Sequence, residues 1–265
     1  MKTLRIAIVA LGLLCTSAAN AGVVSVWGES LAGFSLTTIN DFYNGLAGHS
    51  SSIATGQLDT VDLSGVNLLW ATQPANAYSA NELTTMSSFL AGGGRIAFMG
   101  EHGRYGAAQN NRINTALGAL GGTITINNSL LDIGFRTASV GDGQILNHPL
   151  TTGVNTYEYA AFAPLTISGT AEALMLGEEL FASVSSIMMA YQNIGPGSIF
   201  LITDQNVWDN APLWGNSFDN ARMFENLLSG NTGAPPVNSV PEPASLVLLG
   251  LGLAGLGFTR KTKKS

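Results

Sequence analysis

With 265 residues, 46% of them hydrophobic, the chain is long enough to bury one sizeable core. Its formal net charge of −6 is unevenly spread: two of the 11 basic residues lie before residue 6 and four after residue 259, leaving only Arg95, Arg104, Arg112, Arg136 and Arg222 between. All 17 acidic residues fall within 22–243, so that stretch carries −12, which excludes a nucleic-acid partner and favours cations.

In chain order, Lys2 and Arg5 precede the apolar run Ile6 to Leu14, and Ala19-Asn20-Ala21 supplies a small-x-small cleavage site. This predicts a secretory signal peptide over 1–21, read by the secretion machinery and removed by signal peptidase after Ala21. Cys15 is the sole cysteine, and Leu14 stands where a lipoprotein signal needs a small residue. Cleavage removes Cys15, so the mature chain forms no disulfide and depends on core burial for stability.

Residues 22–230 are expected to form one α/β domain. Val23 to Trp27 is a short apolar run suited to a strand buried on both faces. Leu36, Ile39, Tyr43 and Leu46 recur at helical spacing, ending at Gly48, and Val66 to Trp70 is the next strand. Ser79 and Glu82 form a capping-box pair ahead of the helix face Leu83, Met86, Phe89, Leu90. Gly92 to Gly94 stop that helix before the strand Arg95 to Met99, and a third helix carries Ile113, Leu117 and Leu120 to Gly121-Gly122. This alternation predicts a mostly parallel sheet with helices on both faces. Beyond it, Thr123 to Asn127, Ala173 to Leu176, Ile187 to Tyr191 and Ile199 to Ile202 read as strands without intervening helices, so some pair antiparallel in the C-terminal half. Asn193 to Gly197 is a turn, and a last helix spans 218–228.

Asn231 to Ser239 reads as a flexible linker. Val240-Pro241-Glu242-Pro243 then precedes the apolar run Ala244 to Phe258 and the basic tail Arg260, Lys261, Lys263 and Lys264. Fifteen residues rise about 22 Å as a helix, short of the ~30 Å hydrocarbon core. The basic end favours the cytoplasmic side, leaving the preceding chain outside. Residues 240–265, with their short transmembrane segment 244–258, resemble the PEP-CTERM sorting signal. That resemblance implies processing by an exosortase, transient anchoring in the inner membrane, then release to the cell surface or matrix. It also implies cells that make exopolysaccharide and grow as biofilm, with exopolysaccharide or envelope components as partners.

Four phrases, Phe89 to Ile96, Asn147 to Val154, Gly197 to Asp204 and Asp219 to Asn226, are similar to domains of the class I glutamine amidotransferase-like superfamily, in its non-amidotransferase branches. The implied fold is flavodoxin-like. Active members carry a cysteine on the turn after the strand that here ends near Met99, where this chain has Gly100-Glu101-His102-Gly103. Without a thiolate no acyl-enzyme of that type forms.

In open parallel sheets ligands bind beyond the carboxyl ends of the strands. There the predicted strands bring Ser30, Gln73, Glu101, His102, Asp204 and Asn206 together as ligand-binding candidates. These could bind sugar hydroxyls or a divalent cation, although no motif indicates a cofactor. They could equally cap helices and satisfy backbone groups. His148 before Pro149, Asp59 and Asp62, and Glu178-Glu179 read as turn residues, and His49 as a helix-end cation. No nucleophile elbow, zincin pair, P-loop or haem motif is present. The expectation is an exported, non-catalytic α/β domain that binds a ligand or polysaccharide. The alternatives are a secreted hydrolase of carbohydrate or peptide bonds using Glu101, His102 and Asp204, and a purely structural passenger.

Overall fold

The computed structural model describes residues 22–29, 34–183, 186–208, 213, 215 and 217–228. The expected signal peptide (1–21), Ser30, the expected linker (231–239) and the expected sorting signal with its apolar segment 244–258 lie outside them. Among the described residues no helix is long and apolar enough to cross a membrane.

The first half is a run of alternating strands and helices: β1 (Val23–Gly28), α1 (Leu36–Gly45), β2 (Ser50–Ile53), β3 (Leu68–Thr72), α2 (Ala80–Ala91), β4 (Arg95–Met99) and α3 (Gly103–Ala119). The second half is mainly strand: β5 (Ile124–Ile126), β6 (Arg136–Ser139), β7 (Thr156–Tyr159), β8 (Leu165–Ile167), β9 (Ala171–Leu176), β10 (Ile187–Ile194) and β11 (Gly197–Ile202), followed by α4 (Asn220–Asn226). The main sheet runs β2-β1-β3-β4-β11-β10-β8-β5, with β9 also paired to β10. Its first five strands are parallel, in the 2-1-3-4-5 order of flavodoxin-like folds. From β11 onward every pairing is antiparallel, and β6 and β7 form a separate antiparallel ribbon.

Strand alternation divides the core into two layers. Val24, Val26, Leu68, Trp70, Phe200 and Ile202 face α1, α4 and the β6–β7 ribbon, where the Trp208 and Phe224 rings stack at 4.1 Å. Leu69, Ala71, Ile96, Phe98, Ile199 and Leu201 face α2 and α3. Every residue of β3, β4 and β11 is buried, which is why these strands read as continuous apolar runs. The capping box at α2 is complete: Ser79 Oγ accepts from the Glu82 N–H and the Glu82 carboxylate accepts from the Ser79 N–H. The β10–β11 hairpin turns at Gly195-Pro196, with Gly195 at φ +57.

Several boundaries differ from expectation for local reasons. The helix expected to reach Gly48 ends at Gly45, because Leu46 is already extended. The strand expected over 66–70 occupies 68–72, its first residues spent on a turn in which the Val66 N–H donates to Leu63 O. The serine-rich β2 and the short, partly exposed β6, β7 and β8 carry no apolar run and went unanticipated.

Candidate functional site

The parallel strands end together, and backbone hydrogen bonds extend their register past the last strand residues. The Glu29 N–H donates to Thr72 O, Gln73 N–H to Met99 O, and Gly100 N–H to Ile202 O. Gly28 sits at φ +117, and a Cβ there would lie 2.3 Å from Thr72 O, so β1 and β3 approach as only glycine permits. This edge carries Gln73, Glu101, His102, Asp204 and Asn206. Glu29 is exposed at the same edge.

Glu101 is 1% exposed. Its Oε1 accepts from the His102 N–H at 2.8 Å and its Oε2 from the Gln205 N–H at 3.2 Å. Its own backbone is held at both ends by Asn110, which accepts from the Glu101 N–H and donates to Glu101 O. Burial pushes the Glu101 carboxyl up to about 8, the nearby Asp204 charge adds to this, and the two N–H donors oppose it. Asp204, also 1% exposed, accepts from the Ala160 N–H at 2.6 Å and the Asn206 N–H at 2.8 Å. Burial and Asp204 together raise Tyr157 well above the usual phenol range.

His102 occupies the N-cap position of α3 without a side-chain capping bond, and burial followed by the Arg104 charge lowers its imidazole. Its Nε2 stands 3.7 Å from Glu101 Oε1. That distance exceeds a hydrogen bond, and near neutral pH a raised carboxyl faces a lowered imidazole, so the contact is not an ion pair. Gln73 adopts φ +32 while 1% exposed, and its Nε2 donates to Gln205 Oε1 at 3.0 Å. Gln73 is one of four non-glycine residues with positive φ among the described residues, and the one at this edge.

The structure therefore places Gln73, Glu101, Asp204 and Asn206 in one hydrogen-bonded edge with His102 at its rim. Ser30 lies outside the described residues. Gln205, in the segment 204–206 expected at the strand ends, is equally part of this edge, and Asn110 joins it unexpectedly. Asn110 had a legible signal, a polar residue on the buried stripe Gly106, Asn110, Ile113, Leu117 of α3. Asp132, fully buried at φ +51, had none. The turn residues behave largely as expected: His148 caps the short helix at Pro149–Thr151. His49 uses its Nδ1 to accept the Gly22 N–H instead of serving α1. Among the described residues no group of three or more His, Cys, Asp or Glu side chains is arranged to hold a metal ion.

The arrangement offers two chemistries. A carboxyl protonated near neutrality beside a second carboxylate is the pattern of an acid–base pair. The same oxygens, however, are engaged by backbone N–H groups from three chain segments, which is the pattern of a structural clasp.

Residues 239–261 match the PEP-CTERM protein-sorting motif, so the chain bears the signal of an exported protein sorted by an exosortase and held at the membrane before processing. No curated protein matches the sequence. The mmIFT52 N-terminal domain is similar in structure at TM-score 0.62 and 16% identity, over 79% of this chain and 99% of that one. The cytoplasmic protein STM1381 from Salmonella typhimurium LT2 reaches 0.54 at 11%, over 78% and 98%. The cold-adapted β-galactosidase from Rahnella sp. R3 reaches 0.50 at 16%, over 82% of this chain and 33% of that enzyme. At these identities the likenesses establish the fold alone, and none of the three names supports the amidotransferase-like resemblance. What the comparisons add to the fold is an address: an α/β domain ahead of an exosortase sorting signal.

Proposed function

We propose that the chain is an exported, exosortase-processed cell-surface or matrix protein whose α/β domain, residues 22–230, binds a ligand without catalysing a reaction. The linker 231–239 would separate that domain from the sorting signal at 240–265. The finer kinship to non-amidotransferase branches of the amidotransferase-like superfamily is part of this reading, as are exopolysaccharide or envelope components as partners. One observation carries the non-catalytic part: Glu101 occupies the expected nucleophile turn, and its carboxyl and that of Asp204 accept from the N–H groups of His102, Gln205, Ala160 and Asn206. Groups committed to backbone donors hold strand ends together; a working acid or base needs a face turned to substrate.

The export part is tested by fractionating cells with and without the processing peptidase and determining the mature termini by mass spectrometry. Cleavage after Ala21 and peptidase-dependent loss of the tail are expected. Full-length protein with both ends intact in the cytosol overturns it. A second reading, a secreted hydrolase, is favoured by the raised Glu101 carboxyl beside Asp204. It requires turnover of an oligosaccharide or peptide by the purified protein that Glu101→Gln abolishes; turnover without that loss, or none at all, removes it.

A further inference from the structure

A second site lies away from the strand ends, on the β6–β7 ribbon and the loop that follows β9. There a cavity of about 440 Å³ is walled by Thr137, Asp142 and Gln144 on one side and Gly177 and Glu178 on the other. It is open, since Thr137, Asp142 and Glu178 are all exposed.

Its walls are rigidly built. The buried Asp132 carboxylate accepts from the Glu178 N–H at 2.7 Å, the Glu179 N–H at 2.8 Å and the Tyr159 hydroxyl at 2.6 Å. The Asp132 N–H in turn donates to Glu179 Oε2 at 3.0 Å. A Cβ on Gly177 would stand 2.5 Å from both Asp132 Oδ2 and the Phe162 ring, so the loop packs against them as closely as only glycine permits. Arg136 Nη1 holds the Glu178 carboxylate at 3.1 Å across the cleft, and the Ser139 hydroxyl donates to Asp142 at 2.6 Å. Burying a carboxylate is costly, and this one is spent on fixing two backbone groups of a surface loop. A preformed wall bearing a few convergent polar groups is what a binding site requires.

Exposed apolar side chains neighbour these lining residues along the chain. Phe135, 59% exposed, stands two residues before Thr137 at the start of β6; Val140 stands two before Asp142; Leu180 stands two after Glu178; and Ile133 follows Asp132. These are four of the six large hydrophobic side chains exposed among the described residues. Residues i and i+2 of an extended chain share a face, which sets the exposed Phe135 ring on the side of lining residue Thr137; hydroxyl, amide and carboxylate groups with such a ring alongside match a sugar, whose hydroxyls pair with the former and whose C–H face covers the latter. The charges select further. Asp142, Glu178 and Glu179 face the cleft or adjoin it, and Arg136, its cation, is already paired, so an anionic chain is repelled.

We propose that this cleft binds an uncharged glycan chain, with Phe135 as the stacking platform and Gln144 and Asp142 as hydroxyl partners. The inference deepens the exported ligand-binding reading, yet the two fail separately: binding is measured whatever the compartment, and the mature termini report export whatever the ligand.

The test is affinity electrophoresis of the full-length protein in detergent, through gels cast with dextran, hydroxyethyl cellulose, galactomannan or alginate. Retardation by at least one of the three neutral polymers and none by alginate is expected. Phe135→Ser and Gln144→Ala should each reduce the retardation at least fivefold, while Ile53→Ser, at an exposed position on edge strand β2, leaves it unchanged. Near-ultraviolet circular dichroism verifies that each variant is folded. No retardation by any neutral polymer overturns the proposal, as does retardation that both cleft variants leave intact, or preferential binding of alginate. Sedimentation showing a dimer that Phe135→Ser dissolves, in place of glycan binding, overturns it in favour of an interface between copies.

Discussion

Replacing Glu101 by Gln should reverse the order of stability of the two proteins between pH 5 and pH 8.5. In the fold the carboxyl is raised by burial and then by Asp204 from 4.5 to about 8. Between those values the native state holds a proton that the unfolded chain has released, so stability falls as pH rises through the window. At about 1.36 kcal/mol per pH unit, the loss reaches on the order of 5 kcal/mol by pH 8. Glutamine is nearly isosteric and does not titrate, but its amide nitrogen must face either the His102 or the Gln205 N–H, which costs about 1–3 kcal/mol. The variant is therefore less stable at pH 5 by up to about 2 kcal/mol, equal between about pH 5 and pH 7, and more stable by about 2–4 kcal/mol at pH 8.5. Urea unfolding at pH intervals measures this. His102 and His148, both lowered chiefly by burial, contribute the opposite slope below their ordinary value of 6.5, but they are present in both proteins and cancel in the difference. Parallel stability curves from pH 5 to 8.5 would refute the reasoning, because they mean Glu101 is already ionised in the fold.

Three further outcomes follow from the same structure. Gly103→Ala places a Cβ 2.3 Å from the Asn128 backbone, which cannot move aside like a side chain, and should cost about 3 kcal/mol, seen as a thermal midpoint lowered by roughly 6–12 °C. Ser79→Ala removes the N-cap acceptor of α2 and should lower the urea midpoint by an amount equivalent to about 1 kcal/mol, with the slope unchanged. Glu242→Ala, in the sorting motif, should leave the C-terminal tail attached in intact-mass measurements of membrane fractions, while cleavage after Ala21 proceeds normally.

The legible parts of the fold are those in which one local pattern has one physical solution. The strand Arg95–Met99 appears with its expected limits, since a five-residue run buried on both faces between three glycines and a turn has little freedom. The Ser79–Glu82 box marks the start of α2 because both partners lie within one helical turn. By contrast β2, with three serines, is a strand only because β1 offers it a parallel partner at residues 23–26. The ribbon β6–β7 likewise exists through pairing between segments separated by sixteen residues and through packing of Tyr157 and Tyr159 into the core. Neither carries an internal signal.

The candidate edge shows the same division. Glu101, His102 and Asp204 could be located because they follow strands. That Glu101 is engaged by Gln205, 104 residues away, is a property of the packed sheet. Asp132 is more extreme, an ordinary acidic residue in a loop by sequence and a fully buried clasp by structure.

By itself the sequence determined the route of the protein and the class of its sheet. The sorting motif with its apolar run and basic end, like the leader expected over 1–21, is read by hydrophobicity and charge along the chain, and strand–helix alternation is likewise a one-dimensional pattern. The tertiary structure alone decided which carboxylates are buried, which backbone groups they hold, and where an open polar cleft is left. Those depend on burial and on contacts between residues distant in sequence, which chain order does not encode locally.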